Sequence, residues 1–263
     1  MNNVNKTLYI PLYGKAYVSR KGVILRDPKA EEIWEAEGFA LKGKAKSKWL
    51  AYYMGMRSAV FDRWLEEKLR EYPDAVVLHL GCGLDSRCLR VRHGGLWLDV
   101  DFPEVIRERQ RHYREEGNYR MVGADLRQEG WLAQVPRERA VVVMEGVSMY
   151  LTSEERNRLL KNLGDHFSRV ELLMDCYTVL AAKATKYKNP INQVGVTEVH
   201  GLDDPAEPAK GTALRFMEEL DMTPPRLIGE LKGLEQTIFR KVFAGSFSRK
   251  LYRLYAYRRE VEA

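Results

Sequence analysis

One short apolar run that stops at a pair of glycines constrains this chain more than any other stretch. Val76-Val77-Leu78-His79-Leu80 is brief and β-branched, the pattern of a strand buried in a parallel sheet. Gly81-Cys82-Gly83-Leu84-Asp85-Ser86 comes next. Gly81 and Gly83 lack a Cβ, so the backbone there can turn sharply and let a ligand lie against it. In an open α/β sheet, the carboxyl end of such a strand is where a nucleotide-like molecule docks. Glycine turns are common, so the residues beyond this one have to decide which ligand, if any, it serves.

A chain of 263 residues, 45% hydrophobic and 30% charged, can bury one substantial core. No apolar run reaches the roughly 20 residues that a membrane span needs, and no membrane partner is expected. The segment Met1-Asn2-Asn3-Val4-Asn5-Lys6 lacks the apolar centre of a secretory signal. Cys82, Cys88 and Cys176 form no Cys-x-x-Cys pair, which argues against a disulfide framework or a zinc site and fits a reducing cytoplasm. The formal charge of +6 raises a nucleic-acid reading, with Lys42-Gly43-Lys44-Ala45-Lys46-Ser47-Lys48 as the densest basic run. Elsewhere acids and bases are interleaved, as on an ordinary surface.

Read in order, residues 6–26 show no period, and Pro11 and Gly14 predict no regular element there. Asp27-Pro28 predicts a helix start running through Trp34. Trp49, Tyr53, Met56, Val60 and Trp64 recur at helical spacing, predicting a long helix from Ser47 to about Tyr72. Arg57 lies next to or within that apolar stripe, so its guanidinium needs a partner: a nearby carboxylate of the chain or that of a ligand. Strands are predicted at 95–101, 119–122, 140–145 and 170–174, with helices from Pro103 and, through a capping box, from Thr152. Leu214, Met217 and Leu220 suggest a short helix. Residues 225–228 and 251–257 are the candidates for late strands. This alternation predicts an α/β fold with a mostly parallel sheet and helices on both faces.

The early strands end in acids: Asp99 and Asp101, then Asp125, then Glu145. Strand ends of one parallel sheet share an edge, so these carboxylates should surround the glycine turn. An acid about 20 residues beyond the glycines can accept both hydroxyls of a ribose. A dinucleotide site prefers a third glycine, where this chain has Ser86, and Asp85 would repel a pyrophosphate. S-adenosylmethionine carries no phosphate; acids suit its ribose and ammonium, and a basic side chain suits its carboxylate.

The chain resembles the class I S-adenosylmethionine-dependent O-methyltransferases of the leucine carboxyl methyltransferase type, in the branch of the bacterial tetracenomycin-type polyketide enzymes. The matching stretches are 52–57 (Tyr-Tyr-Met-Gly-Met-Arg), 80–87 around the glycine turn, 98–103 (Leu-Asp-Val-Asp-Phe-Pro), 123–126 (Gly-Ala-Asp-Leu) and 145–151 (Glu-Gly-Val-Ser-Met-Tyr-Leu). The resemblance implies a Rossmann-like sheet of seven strands with the last one antiparallel. It implies an N-terminal helical segment, residues 1–72, packed over the cofactor site, and a core, 73–263, with a lid at about 183–210. It implies that Arg57 and Lys15 meet the cofactor carboxylate and that Gly81 and Gly83 line the cofactor. By the same likeness Asp101 accepts from the ribose, Asp125 and Leu126 contact the adenine, and Glu145 sits by the amino-acid tail or ribose. Tyr150, just past the fourth strand, and His200, in the lid, are candidates for the acceptor cavity; no catalytic base and no metal ligand is assigned.

The expected activity is methyl transfer from S-adenosylmethionine to a carboxylate or phenolic oxygen of a small acceptor. Three readings compete with it: methylation of a protein's C-terminal leucine, cofactor binding without turnover, and nucleic-acid binding.

Overall fold

The computed structural model describes residues 8–37, 46–185 and 199–259. Part of the basic run, residues 42–45, and part of the expected lid, residues 186–198, lie outside them. Seven strands form one sheet in the order β3-β2-β1-β4-β5-β7-β6. They are β1 (Val76–Leu80), β2 (Trp97–Asp101), β3 (Tyr119–Gly123), β4 (Arg139–Met144), β5 (Arg169–Tyr177), β6 (Arg215–Leu220) and β7 (Tyr252–Arg259). β1 pairs parallel with β2 and β4, and the parallel run extends to β3 and β5. β7 inserts between β5 and β6, antiparallel to both. The family-derived expectation of seven strands with the last antiparallel holds.

The central strands are buried on both faces. Val77, Val141, Val143 and Leu173 point into one apolar layer, and Val76, Leu78, Val142 and Leu172 into the other, the two-residue alternation of a pleated strand. The first layer is covered by helices α1 (Tyr9–Lys21), α2 (Pro28–Glu37) and α3 (Lys48–Glu71). Two short helices come next, α4 (Arg87–Arg90) after β1 and α5 (Pro103–Arg109) after β2. The second layer is covered by α6 (Ser153–His166), which places Leu159, Leu160 and Leu163 against the sheet. Thr152 and Glu155 close its N-terminus as the expected capping box. Ser47 accepts from the Trp49 N–H at the start of α3, and Asp27 from the Ala30 N–H at the start of α2, which continues to Glu37 rather than Trp34.

Three expectations are corrected. Residues 9–21 form a helix although they hold Pro11 and Gly14. Pro11 lies in the first turn, where a missing N–H costs no helical hydrogen bond. Gly14 is there for the crossing of α1 over α3: a Cβ on it would stand 2.6 Å from the Cβ of Met54. Residues 215–220 form strand β6, not a helix. A bulge between Phe216 and Glu218 breaks the two-residue alternation and leaves Met217 outward, which mimics helical spacing in the sequence. Phe216 is fixed by edge-to-face contacts with Tyr255 and Tyr257. Residues 225–229 are helix α8, not a strand, because Pro225 at the first position starts it. Helix α7 (Val179–Ala184) precedes β6; α9 (Gly233–Ile238) and α10 (Ser246–Leu251) frame a π-helical turn over Phe239–Phe243. No helix among the described residues is long and apolar enough to cross a membrane.

Candidate active site

The glycine turn leaves β1 at the carboxyl edge of the sheet and is tied to β2 by the Gly81 and Cys82 N–H groups, both donating to the Val100 carbonyl. Gly81 has φ +66° and Gly83 φ +51°, the left-handed region that glycine enters without strain. A Cβ on Gly81 would stand 2.1 Å from a methyl of Val147, so the turn and the segment after β4 close on each other only because it is glycine. Asp101, at the end of β2, accepts from the Gly83 N–H and the Phe102 N–H, each at 2.8 Å. Burial pushes its carboxyl up to about 6 against the pull of those two donors.

Around the turn lies a buried lattice of charges. The Arg57 Nε donates to Glu145 at 3.0 Å, and its Nη1 donates to Asp175 at 3.0 Å and to the Tyr252 hydroxyl at 2.6 Å. Its Nη2, beside Gly146, makes no hydrogen bond among the described residues. Arg87 is fully buried and donates to Asp62 at 2.7 Å and to Glu145. Lys15 pairs with Asp85 at 2.8 Å. Burial works against ionising Glu145, but Arg57 and Arg87 outweigh it and bring its pKa down to about 2. His79 sits between Asp99 and an Arg87 nitrogen, 3.0 Å from each, and burial holds it below the usual histidine range, so it is neutral.

This lattice forms one end of a cavity of about 610 Å³, bordered there by Lys15, Arg57, Gly81, Gly83, Asp85 and Glu145. The other end is apolar and aromatic. It is lined by Leu12, Trp49, Tyr53 and Met54 from the N-terminal helices, by Met149, Tyr150 and Tyr177 beyond β4 and β5, and by Phe247, Leu251 and Phe243, the last stacked on Trp49.

The model of the leucine carboxyl methyltransferase family matches residues 10–164, more than half of the chain, including the glycine turn, Lys15, Arg57, Arg87 and Glu145 of the charged end, while Asp175 and Tyr252 lie beyond the match. The chain belongs to that family. It is an S-adenosylmethionine-dependent methyltransferase. It is 31% identical over 243 residues, 90% of each chain, to the tetracenomycin polyketide synthesis O-methyltransferase of Streptomyces glaucescens. It is 31% identical over 181 residues, 62% of this chain and 61% of the relative, to an S-adenosyl-L-methionine-dependent methyltransferase of Gibberella zeae. Its fold is shared with the magnesium protoporphyrin IX methyltransferase of Synechocystis, solved with bound SAH, at a TM-score of 0.53 and 13% identity over 94% of this chain and 97% of that one.

Of the residues singled out in the sequence, the methyltransferase brings Lys15, Arg57, Gly81, Gly83, Glu145 and Tyr150 to the wall of one cavity. Asp101 stands directly behind Gly83. The loop holding Asp125 and Leu126 leaves β3 beside the end of β2, where the Ala124 N–H donates to the Asp101 carbonyl at 2.8 Å. Asp125 and Leu126 are not part of the cavity wall: Arg127 holds the Asp125 carboxylate from two nitrogens, at 2.9 and 2.7 Å, and Leu126 belongs to the second apolar layer. His200 is half-buried and also off the wall; its N–H donates to the Met149 carbonyl at 2.7 Å and pins the chain over the segment that carries Tyr150. Sequence reasoning missed Asp175, although it ends the fifth apolar run as the other acids end theirs. It also missed Tyr252 and Arg87, which no local pattern marks.

Proposed function

We propose that the methyl acceptor is a small, largely apolar aromatic molecule presenting an oxygen, and that this oxygen belongs to a carboxylate. The observation that carries this reading is the division of the cavity. One end bears charges of both signs around a bare glycine turn, and the other bears aromatic and aliphatic side chains with no carboxylate and no imidazole among the described residues.

The charged end fits S-adenosylmethionine. Arg57, through the Nη2 left over from its acid partners, and Lys15 would hold the carboxylate of the amino-acid tail. Glu145 would stand near its ammonium. Asp101 would accept from the ribose hydroxyls beside the bare backbone of Gly81 and Gly83, and the Asp125-Leu126 loop would meet the adenine. The cofactor supplies a methyl group on a positively charged sulfur, open to in-line displacement by a nucleophile. What the chain contributes is alignment and exclusion of water. The histidine and acids of the charged end are held in ion pairs and hydrogen bonds, so none is placed to take a proton from a phenol at the apolar end. A carboxylate reaches the site already ionised and needs no base. Tyr150 and Tyr177 line the acceptor end and would orient it. The methyltransferase of Streptomyces glaucescens, named for polyketide synthesis, supports an acceptor of this type over a protein C-terminus.

The test is transfer of labelled methyl to a panel of aromatic carboxylates, phenols and a peptide ending in leucine. The expected product is a methyl ester of an aromatic acid, which mild alkali hydrolyses. An alkali-stable methyl ether would overturn the carboxylate reading, and labelling of the peptide would favour the protein acceptor.

A further inference from the structure

The rim of the cavity carries a surface whose chemistry the transfer reaction does not use. From Leu231 to Leu251 the chain places large apolar side chains in water: Leu234, Ile238 and Val242, four residues apart, and Phe247, exposed by 78%, 38%, 50% and 48%. Helix α7, packed beside α10, adds Leu180 at 61% exposure. Monomeric proteins seldom gather such side chains on one face without a partner. The same segments carry exposed cations: Lys183, Lys232, Arg240, Lys241, Arg249 and Lys250. The single acid of residues 231–251, Glu235, is consumed by Lys21, Lys48 and the Tyr52 hydroxyl. Residues 231–251 are therefore apolar and cationic on their exposed side chains, with Glu230 before the stretch and Asp203, which accepts from the Val179 N–H at the start of α7, as neighbouring acids. The face also forms the lip of the cavity, since Phe247, Ala181 and Ala184 line the interior from the same elements.

Charge and shape together select the occupant. A second copy docked through a two-fold axis would set this cation cluster against itself. A nucleic acid would satisfy the cations and leave the apolar stripe wet. An anionic lipid surface satisfies both: apolar side chains enter the boundary between headgroups and acyl chains while Lys and Arg pair with the headgroups. We propose that this face rests on an anionic lipid surface with the cavity mouth turned toward it, so that an apolar acceptor passes from the bilayer to the apolar end of the cavity. The sequence expectation of no membrane partner came from the lack of a spanning segment. The apolar side chains of this face are spread over several short helices, so no sequence period marks them.

The experiment is co-sedimentation of the full chain with vesicles of phosphatidylcholine alone or mixed with phosphatidylglycerol, which requires neither turnover nor a known acceptor. Binding to the mixed vesicles only, weakening as salt is raised, is the expected result. The double variant Arg240→Glu/Lys241→Glu should lose roughly thirtyfold or more in partitioning. Leu234→Glu/Val242→Glu should lose binding even at low salt. None of these residues lines the cavity, so affinity for S-adenosylhomocysteine should be unchanged in both variants, which also reports that they fold. Failure of the parent chain to bind the mixed vesicles overturns the proposal, as does equal binding by parent and variants. Self-association, or capture of an acidic protein, by a chain that ignores both vesicles likewise overturns it.

Discussion

Asp101 and Arg57 show how differently one site treats its charges. Asp101 is buried beside backbone donors and no cation within its hydrogen-bond shell, and its carboxyl rises to about 6. Ribose hydroxyls donate best to the ionised form, so affinity for S-adenosylhomocysteine should increase as pH rises through about 6 and level off above it. Calorimetric titration from acid to neutral pH measures this. Asp101→Asn should bind about tenfold or more weakly and show a flat profile over that window. Arg57 has the opposite role, since two buried acids depend on it. Arg57→Met removes the cation that balances Glu145 and Asp175 and should cost about 3–5 kcal/mol in urea unfolding, together with loss of cofactor binding. Arg57→Lys keeps the charge but not the fork that reaches Glu145, Asp175 and Tyr252 at once, so it should recover part of the stability and little of the binding.

At the scale of elements, the charged end depends on how closely α1 approaches α3, because Lys15 comes from one and Arg57 from the other. Gly14 and Gly55 make that approach possible, each turning a bare face to the other helix; a Cβ on Gly55 would meet a Val18 methyl at 2.8 Å. Gly14→Ala should force the helices apart at Met54, lower stability by about 1–3 kcal/mol in denaturant unfolding and weaken the binding of S-adenosylhomocysteine. The same crossing explains which elements can be read from sequence. β1, β2, β4 and β5 and helices α3 and α6 are legible because burial on one face or two stamps its period on the residues. α1 is not legible, because its glycine answers to a helix far along the chain and its proline is harmless only in the first turn. β6 is hidden by its bulge. The acids at the strand ends are legible as a set, since the ends of parallel strands share an edge. Their partners are harder to find: Arg87 comes four residues after the turn, yet nothing local says that it will reach Asp62 and Glu145 across the core.

For the whole molecule, these carboxylates set a stability profile with two opposed limbs. Glu145 and Asp99 are held down to about 2 when folded, against ordinary values of 4.5 and 3.8. A depressed folded value means stability that is present above the ordinary value and lost as pH falls toward about 2. Asp101 behaves inversely. Raised to about 6 from 3.8, it favours the folded state below 3.8, and that contribution disappears as pH rises through about 6. Asp175, also raised by burial despite Arg57, acts in the same sense. The sum predicts greatest stability between about 3.8 and about 4.5, a steep loss on the acid side as Glu145 and Asp99 protonate, and a shallower loss up to about 6 as Asp101 ionises, beyond which the curve levels off. Thermal unfolding monitored from about pH 2 to about pH 8 measures the curve, and Asp101→Asn should flatten its upper limb without moving the acid one. Cofactor product supplies a second check. It needs Asp101 ionised, so saturating S-adenosylhomocysteine should abolish the loss up to about 6 and extend the maximum upward in pH in the parent chain. A maximum that stays in place while the product binds would mean that the ribose does not use Asp101, and the site would then have to be rebuilt around other acceptors at the end of β2.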